Sequence, residues 1–441
     1  MPNNKQVANE TNRVLVKLRP SNALRAAESR ANLRPLYETP QVKAAVFGVG
    51  AEPQWFLAEL PEGAATPWDL AHGRIAGQLG ISESDVIFAE PDIIHNVYQD
   101  ANEERADQRF AIGGNCVADP QDGTNGKALG PAEFSWHLGE HYTELSKARE
   151  AVKFTDPRTR IAHLDTGYYR SHETVPEYVL RHLEKNFVRG DADPGSAEDP
   201  DNRLPVFDNS GHGTGTISIL AGGKVKVQDH GDVYLGGAPA AEILPLRIAD
   251  SVVLLRTSAL AQALDYAIDQ RCDVVTLSMG GLPSRAWGEV VDKAYEKGVC
   301  ICAAAGNHVS ITPPRTLVYP ARYSRVIAVC GVMANGKPYA DLEGTALEGS
   351  FGPDSAMKSA IAAYTPNIPW ARFGCGNIIR LNGEGTSAAT PQVAAAAALW
   401  FEKYKNELPR DWRRVEAVRN ALFTSTKLQE DKKHFGNGVP G

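Results

Sequence analysis

Asp165, His212 and Ser387 stand far apart in the chain, each where an apolar run begins or ends. Ser387 lies in GEGTSAATPQVAAAAALW, in which a Gly-Thr-Ser turn opens onto a long Ala-rich run of helical preference. Such a turn sets the serine hydroxyl at the positive end of a helix, near backbone N–H groups. A nucleophilic serine needs this setting, with donors ready for an oxyanion. Taken singly, the same triplet is an N-cap.

Two further segments change that reading. In RIAHLDTGYYRSH the run from Arg160 to Leu164 predicts a short buried strand, with Asp165 at its end and Thr166 and Gly167 after it. Active sites of open α/β sheets collect at the carboxyl ends of strands. In DNSGHGTGTISILAGG, His212 lies between two glycines at the start of a helical segment. Singly, Asp165 is a turn residue and His212 a loop histidine. An Asp, a His and a Ser in these settings also supply an orienting carboxylate, a base and a nucleophile.

The D-T-G, G-H-G-T and G-T-S-x-x-x-P elements, in this order, resemble the subtilisin-like serine proteases, whose triad runs Asp, His, Ser. CICAAAGNHVS and DVVTLSMGG add to the resemblance, which covers about residues 131–440. It implies Asp165 as the orienting carboxylate, His212 as the base, Ser387 as the nucleophile and Asn307 as the oxyanion donor. It further implies substrate paired along Ser278, Met279 and Gly280. These residues and Ala303, Ala304 and Ala305 would wall the primary specificity pocket, with Val318 at its floor. A valine there predicts a shallow pocket, suited to small or medium apolar side chains. The chain departs from the family pattern at Gly215, where a histidine is usual, at Ala388 and Ala389, and at Gln392 after Pro391. None of these removes a catalytic group.

Other ionisable residues are weaker candidates. Asp191, Asp193, Glu198, Asp199 and Asp201 cluster in RGDADPGSAEDPDNR and offer the oxygens a hard cation takes. Their spacing matches no EF-hand loop, so a solvated acidic loop is expected and a structural calcium is the alternative. Asp229 and Asp232 fall where relatives hold a calcium loop, without its pattern. No cofactor is needed for the chemistry, and no catalytic metal is expected. His163 reads as a core residue or a support for Asp165, and His308 as a residue of the cleft rim.

These residues need a scaffold. From residue 131 onward, strand-like and helix-like runs alternate: AEILPLRI, SALAQALDYAIDQ, DVVTLSMG, RAWGEVVDKAYEKG, VCICAAAG and RVIAVCGV. Apolar β-branched strands alternating with helices predict an α/β fold with a doubly wound, mostly parallel sheet, covered on both faces. Residues 12–98 predict a separate small α+β unit of ferredoxin type. Its strands are RVLVKLRP, WFLAEL and DVIFAEPDIIHNVY; its helices are SNALRAAESRANL and PWDLAHGRIAGQLG, with Pro67 in the first turn and Gly80 as the stop. The Glu90-Pro91-Asp92 segment resembles the end of the inhibitory propeptide that precedes many subtilisin-like domains. Residues 99–130, rich in Gly, Asn and Asp, predict an exposed linker and a region for processing. Tyr98 and the residues after it are expected in the substrate position of the cleft.

The chain of 441 residues is 43% apolar and 22% charged, with a net charge of −7. Nothing in this balance suggests nucleic acid or an anionic membrane as a partner. No apolar run is long enough to span a bilayer, and MPNNKQVANETNR lacks the apolar core of a secretory signal. Of the cysteines, Cys300, Cys302 and Cys330 lie inside strand-like runs, and Cys116, Cys272 and Cys375 show no C-x-x-C spacing. Reduced cysteines and a cytoplasmic location are the expectation. The residues together predict a serine endopeptidase acting on protein or peptide substrates, restrained by its own N-terminal unit as a zymogen. A catalytically silent binding or scaffold protein on the same fold is the alternative. A serine hydrolase with a G-x-S-x-G elbow is disfavoured, because there the acid and histidine follow the serine.

Overall fold

The computed structural model describes residues 12–20, 33–37, 52–60, 66–95, 116, 134–188, 193–200, 211–227, 231–252, 254–308, 315–340 and 348–441. The predicted helix SNALRAAESRANL, the 99–130 linker except Cys116, and Tyr98 lie outside the described residues.

The N-terminal segment forms a four-stranded antiparallel sheet from β1 (Arg13–Leu18), β2 (Arg34–Pro35), β3 (Gln54–Glu59) and β4 (Val86–Pro91), in the order β2-β3-β1-β4. This is the order and sense of a ferredoxin-like unit. Its period-two pattern gives the sheet two apolar faces. Val14, Val16, Leu18, Phe56 and Ala58 pack on Leu70, Ile75 and Leu79, while Leu15, Trp55 and Leu57 turn the other way and join the core of the larger body.

Two predicted elements break. PWDLAHGRIAGQLG is interrupted at His72 and Gly73, where Gly73 takes φ +126°, and the helix resumes as α1 (Ile75–Leu79), stopped by Gly80 in the left-handed region. DVIFAEPDIIHNVY divides after β4. Asp92 turns the chain, and β5 (Ile94–His95) pairs with a strand of the larger body instead of the N-terminal sheet.

After α2 (Leu145–Ala151) the strands are β6 (Arg160–Asp165), β7 (Lys185–Asn186), the hairpin β8 (Lys224–Val227) and β9 (Gly231–Tyr234), β10 (Glu242–Arg247), β11 (Leu255–Arg256), β12 (Val274–Leu277), β13 (Cys300–Ala304), β14 (Asn307–His308), β15 (Ile327–Val332), β16 (Glu348–Gly349) and β17 (Ala360–Tyr364). Between them run the helices α3 (His212–Ala221), α4 (Thr257–Asp269) and α5 (Arg285–Glu296), and after them α6 (Gly385–Tyr404) and α7 (Trp412–Thr424). Seven strands form one sheet, entirely parallel, in the order β17-β15-β13-β12-β6-β10-β7. Two buried clusters fill its faces, one under α4 and α5, the other under α3 and α6. The architecture is therefore the expected doubly wound α/β fold. From β6, the strands that follow in sequence lie first to one side and then to the other. The strand order reverses at β6, and a crevice opens past its carboxyl end, where Asp165 stands.

The cysteines differ from expectation. Cys272, Cys300, Cys302 and Cys330 are free and buried, but Cys116 and Cys375 are disulfide-bonded. Their spacing in sequence gives no hint of this. The fold brings their Cα atoms to 5.6 Å, inside the range a disulfide bridges.

Candidate active site

Asp165 is buried at the end of β6, and α3 begins at His212 directly against it. Glycines make that approach feasible. A Cβ on Gly213 would overlap the Gly167 carbonyl and sit 3.1 Å from Asp165 Cβ; Gly167 and Gly211 hold φ of +109° and +90°. His212 Nδ1–H donates to Asp165 Oδ1 at 2.7 Å, and Thr166 N–H donates to the same oxygen at 2.7 Å. Asp165 Oδ2 accepts from Thr216 Oγ1 at 2.9 Å. Burial opposes ionisation of Asp165, but the charge and hydrogen bond of His212 and the Thr166 N–H outweigh it and hold the carboxyl below its ordinary value.

Ser387 lies in the first turn of α6, which packs against α3. Pro391, inside α6, has no N–H for the Ser387 carbonyl. Ser278 Oγ donates to that carbonyl instead, at 3.1 Å. In return Ser387 Oγ donates to the Ser278 carbonyl at 3.2 Å. Ser278 therefore fixes the serine turn, and in this structure the Ser387 hydroxyl bonds to Ser278 and not to His212. Gln392 ties the same helix to the sheet, donating to the carbonyls of Tyr364 at 2.7 Å and Ala388 at 2.8 Å.

Asn307 sits on β14 beside this turn. Its Oδ1 accepts from Thr386 N at 2.9 Å and Thr386 Oγ1 at 3.2 Å. The acceptor end of the amide is thereby committed, and Nδ2 is the donor end. Gly385, at φ +77°, leaves room for that amide: a Cβ there would stand 2.9 Å from Nδ2.

Ser278, Met279 and Gly280 follow β12 toward this turn, and Ala303 to Ala305 follow along β13 and its end. The Ala303 and Ala305 side chains belong to the core under α4 and α5, so they present only backbone to the crevice. Val318 wedges between the two walls. A Cβ on Gly280 would overlap the Val318 side chain, and one on Gly306 would lie 2.8 Å from Val318 Cγ1.

The other ionisable candidates make contacts of their own. Asp199 Oδ2 accepts the Gly211 N–H at 2.8 Å just ahead of α3, Asp193 Oδ1 accepts the Gly195 N–H at 2.8 Å, and Glu198 lies 3.6 Å from Arg170. Asp232 is exposed on the hairpin, while Asp191, Asp201 and Asp229 lie outside the described residues. Among the described residues no group of three or more His, Cys, Asp or Glu could hold a metal ion. His308 is buried rather than at a rim, 3.4 Å from Glu348 Oε2.

The sequence reading missed Thr216 and Trp370. The Trp370 ring stands edge-on to His212 at 6.4 Å, and a Cβ on Gly215 would lie 2.6 Å from it. The glycine at the position where the family usually has histidine is the space for this indole, a signal visible as the Gly215 departure alone.

Residues 157–438 match the family model described as the Subtilase family. The chain is 30% identical over 291 residues to subtilisin of Bacillus pumilus, covering 65% of this chain and 90% of that protein. It is 29% identical over 290 residues to subtilisin NAT of Bacillus subtilis subsp. natto, spanning 65% of each. Thermitase of Thermoactinomyces vulgaris is 30% identical over 241 residues, 54% of this chain and 74% of that protein. The chain belongs to the subtilase family.

Proposed function

We propose that this subtilase is a serine endopeptidase acting through Asp165, His212 and Ser387, and held as a zymogen by its N-terminal unit. One observation carries the catalytic reading: the buried 2.7 Å bond between His212 Nδ1 and Asp165 Oδ1. A carboxylate only accepts, so it fixes the proton on Nδ1 and leaves Nε2 as the base. A turn about the Ser387 side chain would transfer its hydroxyl from the Ser278 carbonyl to Nε2. Oγ then attacks the peptide carbonyl as Nε2 takes its proton. Asn307 Nδ2 and the Ser387 N–H receive the oxyanion. The imidazolium, stabilised by Asp165, gives the proton to the leaving amine, and water resolves the acyl-enzyme in the same way. Loss of one oxyanion donor costs subtilisin about 10²–10³ in turnover, a figure measured on this family.

The restraint rests on how the N-terminal unit sits. Glu90 accepts from Ser284 Oγ at 2.8 Å, Arg285 N at 2.9 Å and Ala286 N at 3.0 Å, so its carboxylate stands at the N-terminus of α5. Asp92 does the same for α4, accepting from Ser258 N at 2.8 Å and Ser258 Oγ at 2.9 Å. Each carboxylate meets the positive end of a helix dipole. Lys17 and Trp55 both donate to Glu289 at 2.8 Å. A unit tethered this way would hold the residues that follow His95 at high local concentration near the cleft, and their binding there would compete with substrate. Processing would fall between 99 and 130. Protein or peptide is the substrate class, and Val318 supports a preference for small or medium apolar residues at P1. The four free buried thiols fit a cytoplasmic location; the Cys116–Cys375 bond weighs against it.

The deciding experiment is a fluorophosphonate probe. Label on Ser387 that vanishes in His212→Ala is the expected result, and Ser387→Ala abolishes peptide hydrolysis with the fold intact. Folded, processed protein that takes no label overturns the reading in favour of a silent scaffold.

A further inference from the structure

The carboxylate of Asp165 is held from two sides. Oδ1 takes His212 and the Thr166 N–H; Oδ2 lies beneath α3. Two spacings bring further side chains to it. Thr216 follows His212 by four residues, so both occupy one face of α3. His163 precedes Asp165 by two, so both occupy one face of β6. Thr216 Oγ1 lies 2.9 Å from Asp165 Oδ2, and His163 Nε2 lies 2.8 Å from Thr216 Oγ1. All four side chains are buried.

The donors can be ordered. Asp165 only accepts, so the Thr216 hydroxyl donates to it; the Gly213 carbonyl, the other acceptor in reach, is more distant at 3.3 Å. With that proton spent, Thr216 Oγ1 accepts, and His163 Nε2–H is its donor. Burial, aided by the charge of His212, outweighs the pull of Asp165 and lowers His163 to about 4, so it donates as a neutral ring near neutral pH. The titratable groups acting on it are Asp165 and His212; its cross-strand neighbours Pro245 and Thr276 carry no charge.

We propose that Thr216 and His163 are positioning residues for the triad, a buried donor chain that fixes the second oxygen of Asp165 and tempers its pull on His212. A hydroxyl whose positive end faces the carboxylate offsets part of the field felt at the imidazole. Without it the carboxylate acts on His212 undiluted and the imidazolium gains stability. The carboxylate also loses the contact that stops it rotating. This inference rests on the catalytic reading of Asp165 and His212, but its test does not need turnover.

In the full chain carrying Ser387→Ala, His212 is titrated by nitrogen-detected NMR with and without Thr216→Val. The expected result is a rise in the His212 pKa of about half a unit or more. In the active chain the acid limb of kcat/KM moves up by the same amount and kcat falls about tenfold. Thr216→Ser keeps the hydroxyl and returns both. His163→Leu moves the pKa the same way by less, and His163→Gln, which keeps an N–H donor, restores it. A folded Thr216→Val with the parent His212 pKa overturns the proposal, as does a Thr216→Ser that fails to restore it. Should Thr216→Val not fold, the two His163 variants decide: equal His212 pKa values in both overturn it. A protein that takes no probe at Ser387 refutes the function, whereas an unmoved pKa refutes the donor chain.

Discussion

Lowering the pH should loosen the N-terminal unit through one residue, His95. Its ring is buried where β5 meets β11, 4.4 Å from the Trp287 ring. Leu282 N–H donates to Nδ1 at 3.1 Å, and Nε2 lies 2.9 Å from Thr257 Oγ1. A backbone N–H can only donate, so Nδ1 is unprotonated and Nε2–H points at Thr257. A proton arriving on Nδ1 would set two donors face to face. Gly281 leaves no slack, because a Cβ there would lie 2.5 Å from the ring. A cavity of about 230 Å³, lined by Trp68, His72, Glu90, Ser284 and His95 itself, lies beside the ring.

Burial lowers His95 to about 3 in the docked state. In the undocked unit it titrates near its ordinary value of about 6.5. The undocked form therefore binds a proton that the docked form refuses. Docking is at full strength above about pH 6.5 and weakens as the pH falls from there toward about 3. At about pH 5 the two values imply a loss of roughly 2 kcal/mol, or about thirtyfold in the opening equilibrium. The assay is hydrogen exchange on the Ser387→Ala full chain, followed at β5 and β11 and corrected for the intrinsic effect of pH. Between about pH 7.5 and 5, protection of these strands should fall by about thirtyfold in the parent. It should hold nearly constant in His95→Gln, which keeps a donor and an acceptor but cannot be charged. Equal falls in both proteins would refute the reasoning, because the carboxylates of the interface would then carry the whole dependence.

Val318→Gly should deepen the specificity pocket and raise kcat/KM for Phe over Ala at P1 by about tenfold or more, read from a peptide library; an unchanged profile removes Val318 from the pocket floor. Denatured, unreduced protein should titrate four thiols, and Cys375→Ser should lower stability by about 2–4 kcal/mol in a urea melt. Gly215→Ala should cost about 1–3 kcal/mol and reduce turnover as well, since the displaced Trp370 ring stands beside His212; full activity in that variant would show the indole has room to move.

The proposed catalytic residues are legible because each sits at a place that local chemistry marks: Asp165 ends an apolar strand, and His212 and Ser387 open helices behind glycines. The strands and helices of the parallel body were legible for the same reason, since strands buried on both faces read as continuous apolar runs. Contacts made by turning the chain were not. Nothing local to DVIFAEPDIIHNVY says that Asp92 will leave the sheet to cap α4, or that His95 will pair with Leu255. The two-residue strand Arg34–Pro35 has no periodicity to detect. Cys116 and Cys375 are 259 residues apart in sequence, and only the fold unites them.

Thr216 shows where the limit lies. Its spacing from His212 and that of His163 from Asp165 were both present in the sequence, and each alone is ordinary. A helix places any residue four positions on beneath the first, and a strand does so at two. The pairs gain meaning only when β6 and the N-terminus of α3 are known to meet, and Gly213 against Gly167 is what lets them meet. The glycines usually read as marks of flexibility here set a distance of approach. That distance converts two unremarkable spacings into one buried chain of donors ending on Asp165. A side chain added at Gly213 should therefore damage more than helix packing: it would part Thr216 from Asp165 as well as His212, and separate the carboxylate from both of the α3 side chains that hold it.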